Sequence, residues 1–134
     1  MGNIWLVTGA SRGLGREIAR AALDAGETVV ATARSIDAVR DAFGGEHDRL
    51  HALALDITDA EAANAVALET IERFGAIDVL VNNAGYAELG FFETFTDAAV
   101  RRQFEVNLFG TMNIARAVVP HMRARRSGLI VTIS

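Results

Sequence analysis

The sequence predicts an α/β fold, a doubly wound parallel sheet with helices on both faces in a three-layer α/β/α arrangement. Two observations carry this. Five short apolar, β-branched runs lack the apolar/polar alternation of a half-solvated sheet, so they read as strands buried on both sides. Between them, apolar residues recur at spacings of three and four, which lines them up along one side of a helix. Strand alternating with helix implies parallel pairing through right-handed crossovers.

The elements follow in order. Ile4–Val7 forms the first strand and runs straight into a glycine-rich turn. Leu14, Ile18, Ala21, Ala22 and Ala25 mark the first helix, with Gly26 as its stop. Thr28–Ala33 and residues 50–55 are the second and third strands. Thr58 and Asp59 stand where a cap should open the helix marked by Ala63, Val66, Ala67, Ile71 and Phe74, which Gly75 ends. Residues 77–81 form the fourth strand. The longest helical pattern then carries Val100, Phe104, Leu108, Ala115, Val118, Val119 and Met122, and Pro120 near its end predicts a kink or termination. The basic run at residues 123–126 reads as a solvated helix end favoured by the helix dipole, and residues 129–133 form the fifth strand. No repeat, low-complexity tract or linker divides the chain, so residues 1–134 are expected to form one domain.

Composition narrows the function classes. Thirteen basic residues against 17 acidic ones leave a net charge of −4, which argues against a nucleic-acid partner. A 51% hydrophobic and 22% charged composition with one proline excludes a disordered chain. The absence of cysteine removes disulfides, thiolate metal sites and cysteine nucleophiles, and no metal ligands are assigned. No apolar run approaches the roughly 20 residues that span a bilayer, so no membrane partner is expected and a cytoplasmic location is.

The turn after the first strand reads Thr8-Gly9-Ala10-Ser11-Arg12-Gly13-Leu14-Gly15. Glycines here let backbone N–H groups approach a ligand and let the helix pack close on the sheet. A pyrophosphate would lie at the helix N-terminus, where unpaired N–H groups and the dipole favour an anion. The spacing is G-x-x-x-G-x-G and not the generic G-x-G-x-x-G, so a purely structural tight turn stands beside the nucleotide-binding reading. Residues 9–13 also spell G-x-S-x-G, the nucleophile elbow of a serine hydrolase, with Ser11 at its centre. That reading needs a later histidine, and only His47, His51 and His121 follow, the last expected on an exposed helix face.

The second strand ends at Arg34, about 20 residues after the turn, where an acid would bond a ribose 2′-OH and a cation suits a 2′-phosphate. Leu55-Asp56-Ile57-Thr58-Asp59 follows the third strand, Asn82-Asn83-Ala84-Gly85 the fourth, and Val106-Asn107-Leu108-Phe109-Gly110 lies in the long helix. These blocks with the glycine turn, in this order, closely resemble the short-chain dehydrogenase/reductase family from residue 3 to residue 134. The resemblance implies a Rossmann-like, nicotinamide-dependent oxidoreductase that interconverts a small-molecule carbonyl and alcohol. It implies cofactor contacts from Gly9, Ser11, Arg12, Gly13, Leu14 and Gly15, and from Asp56 and Ile57 around the adenine. Asn83, Ala84 and Gly85 are implied beside the adenosine ribose and nicotinamide, and Asn107 as the helix asparagine of a proton relay. Asn107 could equally satisfy a backbone group.

The sequence also departs from the family pattern. It contains no lysine, and its single tyrosine, Tyr86, has none four residues on, so the family's Y-x-x-x-K is not found. The chain is therefore expected to be the N-terminal, cofactor-binding half of such an enzyme, inactive by itself; a stand-alone nucleotide-binding or regulatory module is the alternative. Arg34, with Arg12 beside it, favours NADP(H) over NAD(H). Because the motifs all follow strands, the expected order is 3-2-1-4-5, with the cleft where it reverses between the first and fourth strands. The fifth strand is expected to be an exposed sheet edge, with self-association, low stability or a partner chain as the consequence, so a homo-oligomer or association through that edge is expected.

Overall fold

In the computed structural model, which describes residues 2–134, five parallel strands stack in the order β3-β2-β1-β4-β5, as predicted. They are β1 (Ile4–Val7), β2 (Thr28–Ala33), β3 (Leu50–Ala54), β4 (Val79–Asn82) and β5 (Leu129–Thr132). The fourth strand starts two residues later than the apolar run suggested, because Ile77 N–H is directed to His121 Nε2 at 3.4 Å. Asp78 N–H donates to the Ile4 carbonyl at 2.9 Å, and its Oδ2 accepts from Ile4 N–H at 2.8 Å.

Both faces of the sheet are covered along β1, β2 and β4, which is why those strands do not alternate. On one side Leu6, Val30 and Leu80 meet Ala63 and Val66 of α3 (Ala60–Phe74) and Ile114 and Val118 of α5 (Thr111–Arg125). On the other, Val7, Val29, Ala31 and Val81 meet Ala19 and Ala22 of α1 (Gly13–Asp24) and Val39 of α2 (Ile36–Phe43). The two edge strands depart from the expected burial on both sides: β3 is buried only at Leu50 and Ala52, and β5 is exposed at Leu129, Ile130 and Thr132. The short helix α2 was not marked by an apolar stripe. It is defined by its ends, where Ser35 Oγ accepts from Ala38 N–H at 3.2 Å and left-handed Gly44 closes it.

Three helical expectations need correction. The buried face of α1 is Gly15, Ala19 and Ala22, while Leu14 is 55% exposed and Ala21 and Ala25 face solvent. Small residues let this helix sit close to the sheet, so the larger side chains mark its flanks and not its contact. The long helical pattern is three segments: α4 (Asp97–Phe104), a π-helical stretch (Glu105–Gly110) and α5. The wider turn changes the phase of the pattern, so Gly110, Ile114, Val118 and Met122 are buried while Phe104, Leu108 and Val119 lie outside. Pro120 does not end the helix, which runs on to Arg125. His121 is half-buried beside Ile77 and not an exposed surface histidine.

Candidate functional site

The loops that leave the carboxyl ends of β1 to β4 surround one cleft of about 920 Å³. Its floor is the glycine turn, brought against the segment after β4. Asn83 Nδ2 donates to the carbonyls of Thr8 and Gly9 at 3.3 and 3.1 Å, and Thr8 Oγ1 accepts from the N–H groups of Asn83 and Ala84. Two glycines make this approach possible. A Cβ on Gly9 would lie 2.9 Å from Ala84 Cα, and one on buried Gly15 would strike the Gly9 carbonyl and the Asn83 amide. Gly13 shares the positive φ of Gly9, +58° against +62°, but nothing stands within 4 Å of where its Cβ would be. It opens α1, whose N-cap Arg12 makes no side-chain cap, whereas Ser35, Asp59 and Thr96 cap α2, α3 and α4. The first N–H groups of α1 are thus left for another acceptor.

The cleft gathers Gly9, Ser11, Arg12, Gly13, Arg34, Asp56, Ile57, Asn83, Ala84 and Gly85 from the sequence-predicted set. Leu14, Gly15 and Asn107 are not on its wall. Asp56 Oδ1 accepts from Thr58 Oγ1 at 2.7 Å and from Thr58 N–H at 3.0 Å. These bonds, aided by the Arg34 and Arg102 charges, hold the Asp56 carboxyl below its usual range against slight desolvation. Thr58 therefore braces Asp56, while Asp59 alone caps α3, accepting from Ala62 N–H at 3.1 Å.

Asn107 sits in the π-helical stretch and reaches back across the chain. Its Oδ1 accepts from Tyr86 N–H at 2.9 Å and its Nδ2 donates to the Tyr86 carbonyl at 2.7 Å. A Cβ on Gly85 would lie 2.8 Å from that Oδ1, so glycine there makes room for the clamp. The Tyr86 side chain lines the cleft, and its hydroxyl is buried without a partner among the described residues.

Sequence reasoning missed Arg102 and Val106, which reach the cleft from α4 and the π-helical stretch. Arg102 lies off the apolar stripe of α4, and nothing in the spacing pointed it toward Asp56. None of the three histidines lines the cleft that holds Ser11: His51 is bonded to Glu46 and Glu69, and His121 faces Ile77. Among the described residues the hydrolase elbow meets no histidine in this cleft.

Comparison with known proteins agrees with this geometry. The family profile described as short chain dehydrogenase matches residues 3–134. An oxidoreductase of Botryotinia fuckeliana, BOA17, is 41% identical over 137 residues, covering 100% of this chain and 49% of that protein. A short-chain dehydrogenase from Streptomyces avermitilis superposes with a TM-score of 0.94 at 47% identity, over 100% of this chain and 49% of that one. ElxO with NADP bound superposes with a TM-score of 0.92 at 28% identity, over 100% and 56% of the two chains. The chain thus spans about half the length of the relatives it matches.

Proposed function

The chain belongs to the short-chain dehydrogenase family, and from that premise we propose that it forms the dinucleotide-binding part of an NADP(H)-dependent oxidoreductase acting between a carbonyl and an alcohol. The residues present fit such a cofactor. Gly13 leaves open space at an uncapped helix start, suited to a pyrophosphate, and Asp56 and Ile57 form a polar and an apolar wall suited to an adenine. When bound, the nicotinamide would supply the hydride exchanged with the substrate carbon. The chain's own residues bind and orient it: Arg12 and Arg34 at the 2′-phosphate, and Asn83 to Gly85 along the ribose and nicotinamide side.

Asn107 is proposed to hold the Tyr86 backbone so that the segment after β4 keeps its course beside the nicotinamide. The proton donor to substrate is not assigned among residues 1–134, since they include no lysine and one tyrosine. A phenol of pKa near 10 needs a neighbouring cation to act as a base near neutrality.

The observation that carries the reading is the meeting of four strand-end segments around one cleft with Arg34 at its rim. Titration of the chain with NADPH and NADH should show tighter binding of NADPH. Arg12 and Arg34 together should account for a preference on the order of 2 to 4 kcal/mol, and Arg34→Asp should remove about half of it or more. Unchanged preference would remove Arg34 from the argument, and no binding of either dinucleotide would overturn the function itself.

A further inference from the structure

We propose that Asn113 is a positioning residue for the adenine end of the cleft, acting through the main chain of Ile57. The inference rests on the dinucleotide reading above. Asn113 Nδ2 donates to the Ile57 carbonyl at 2.9 Å in a half-buried bond between α5 and the segment after β3. One turn earlier, buried Gly110 lies against the same residue, and a Cβ there would stand 2.7 Å from Ile57 Cγ1. Ile57 is 6% exposed and lines the cleft beside Asp56.

The π-helical stretch makes this arrangement possible. Asn107 on it clamps Tyr86 at one end of the cleft, and its wider turn sets the phase in which Gly110 and Asn113 arrive at the other. Residues 56–58 are then held from two sides. Thr58 fixes the Asp56 carboxylate from within the loop, and Asn113 fixes the next peptide from α5. An amide that locks the Ile57 carbonyl sets the plane of the Ile57–Thr58 peptide, whose N–H holds the Asp56 carboxylate, and with it what the loop presents to a ligand. Without it the loop must order itself on binding, which costs affinity at the adenine end.

The experiment uses 2′,5′-ADP, which carries the adenosine half with its 2′-phosphate, titrated into the 134-residue chain by calorimetry. Asn113→Asp keeps the side-chain shape and replaces the Nδ2 donor with an oxygen, and should raise the Kd roughly three- to tenfold. Asp78→Asn controls for general loosening, since it disturbs the Ile4 and Arg125 bonds outside the cleft, and should leave the Kd within twofold. In the wild-type spectrum the Asn113 side-chain amide resonances should move on adding 2′,5′-ADP and stay in place on adding inorganic phosphate. That measurement decides the matter if the aspartate variant does not fold. An unchanged Kd in Asn113→Asp, an equal rise in Asp78→Asn, or an unmoved amide would overturn the role of Asn113 and leave the dinucleotide reading standing. No binding of 2′,5′-ADP by the wild-type chain would overturn both.

Discussion

Gly15 tests the contact on which the cleft floor depends. In an exposed helix interior, alanine for glycine gains about 1 kcal/mol from propensity. Here the new Cβ would meet the Gly9 carbonyl and the Asn83 amide, backbone and a committed hydrogen bond that cannot swing aside. Overpacking of this kind costs about 1 to 3 kcal/mol. Gly15→Ala should therefore lower the stability measured by urea unfolding, and dinucleotide binding should be lost with it. The glycine spacing was legible in the sequence because part of the demand arises within the turn itself, from the positive φ of Gly9 and Gly13 and the approach of Gly15 to the Gly9 carbonyl, although Asn83 and Ala84 add to it from afar. Arg102, Asn113 and the buried Tyr86 hydroxyl were not, because each matters through a partner in a distant segment.

Among the elements, the join between α2 and the edge strand β3 is held by one carboxylate. Glu46 accepts from Ala52 N–H at 2.8 Å, from Arg40 Nε at 2.9 Å, and lies 2.9 Å from His51 Nδ1. The Ala52 amide above all holds its carboxyl below the ordinary 4.5, against a desolvation effect second only to that bond, with Arg40 and His51 adding to the lowering. A carboxyl lowered in the folded state stabilises that state above its unfolded pKa, and the contribution is lost as pH falls through the folded value. The difference in unfolding free energy between the wild type and Glu46→Gln should thus be full near pH 7 and constant down to about pH 4.5. It should shrink below that as the carboxylate is protonated, as urea melts at pH 3 to 7 would read. A pH-independent difference would assign Glu46 a packing role alone. Element types were legible where apolar periodicity met a stop or cap, as in α3 between Asp59 and Gly75. They were misphased where packing depended on small residues, as in α1, and where the π-helical turn at Glu105–Gly110 put two stripes on one pattern.

At the scale of the whole molecule, the two edges of the sheet differ in how they are finished. The β3 edge is flanked by the hydrogen-bonded polar side chains of Glu46, His51 and Glu69. Among the described residues β5 pairs with β4 alone, and Leu129, Ile130 and Ile133 are 55%, 37% and 39% exposed. Beside it, Val119 of α5 is 37% exposed, and Phe104, Leu108 and Met112 continue an apolar stripe along the helical stretch. An unpaired strand edge next to exposed apolar side chains recruits another chain, either by strand pairing or by burial of the adjoining face. The 134-residue chain should therefore associate as its concentration rises, read as a growing mass by light scattering. Ile130→Lys places a charge on that edge, where lysine is the common natural guard against edge-to-edge pairing, and should shift the distribution toward monomer. The unfolding midpoint of the variant, compared at low concentration, separates this effect from a loss of folded protein. A wild-type chain that stays monomeric at all concentrations would overturn the association. A mass unchanged by Ile130→Lys would move the contact from the β5 edge to the stripe of Phe104, Leu108 and Met112.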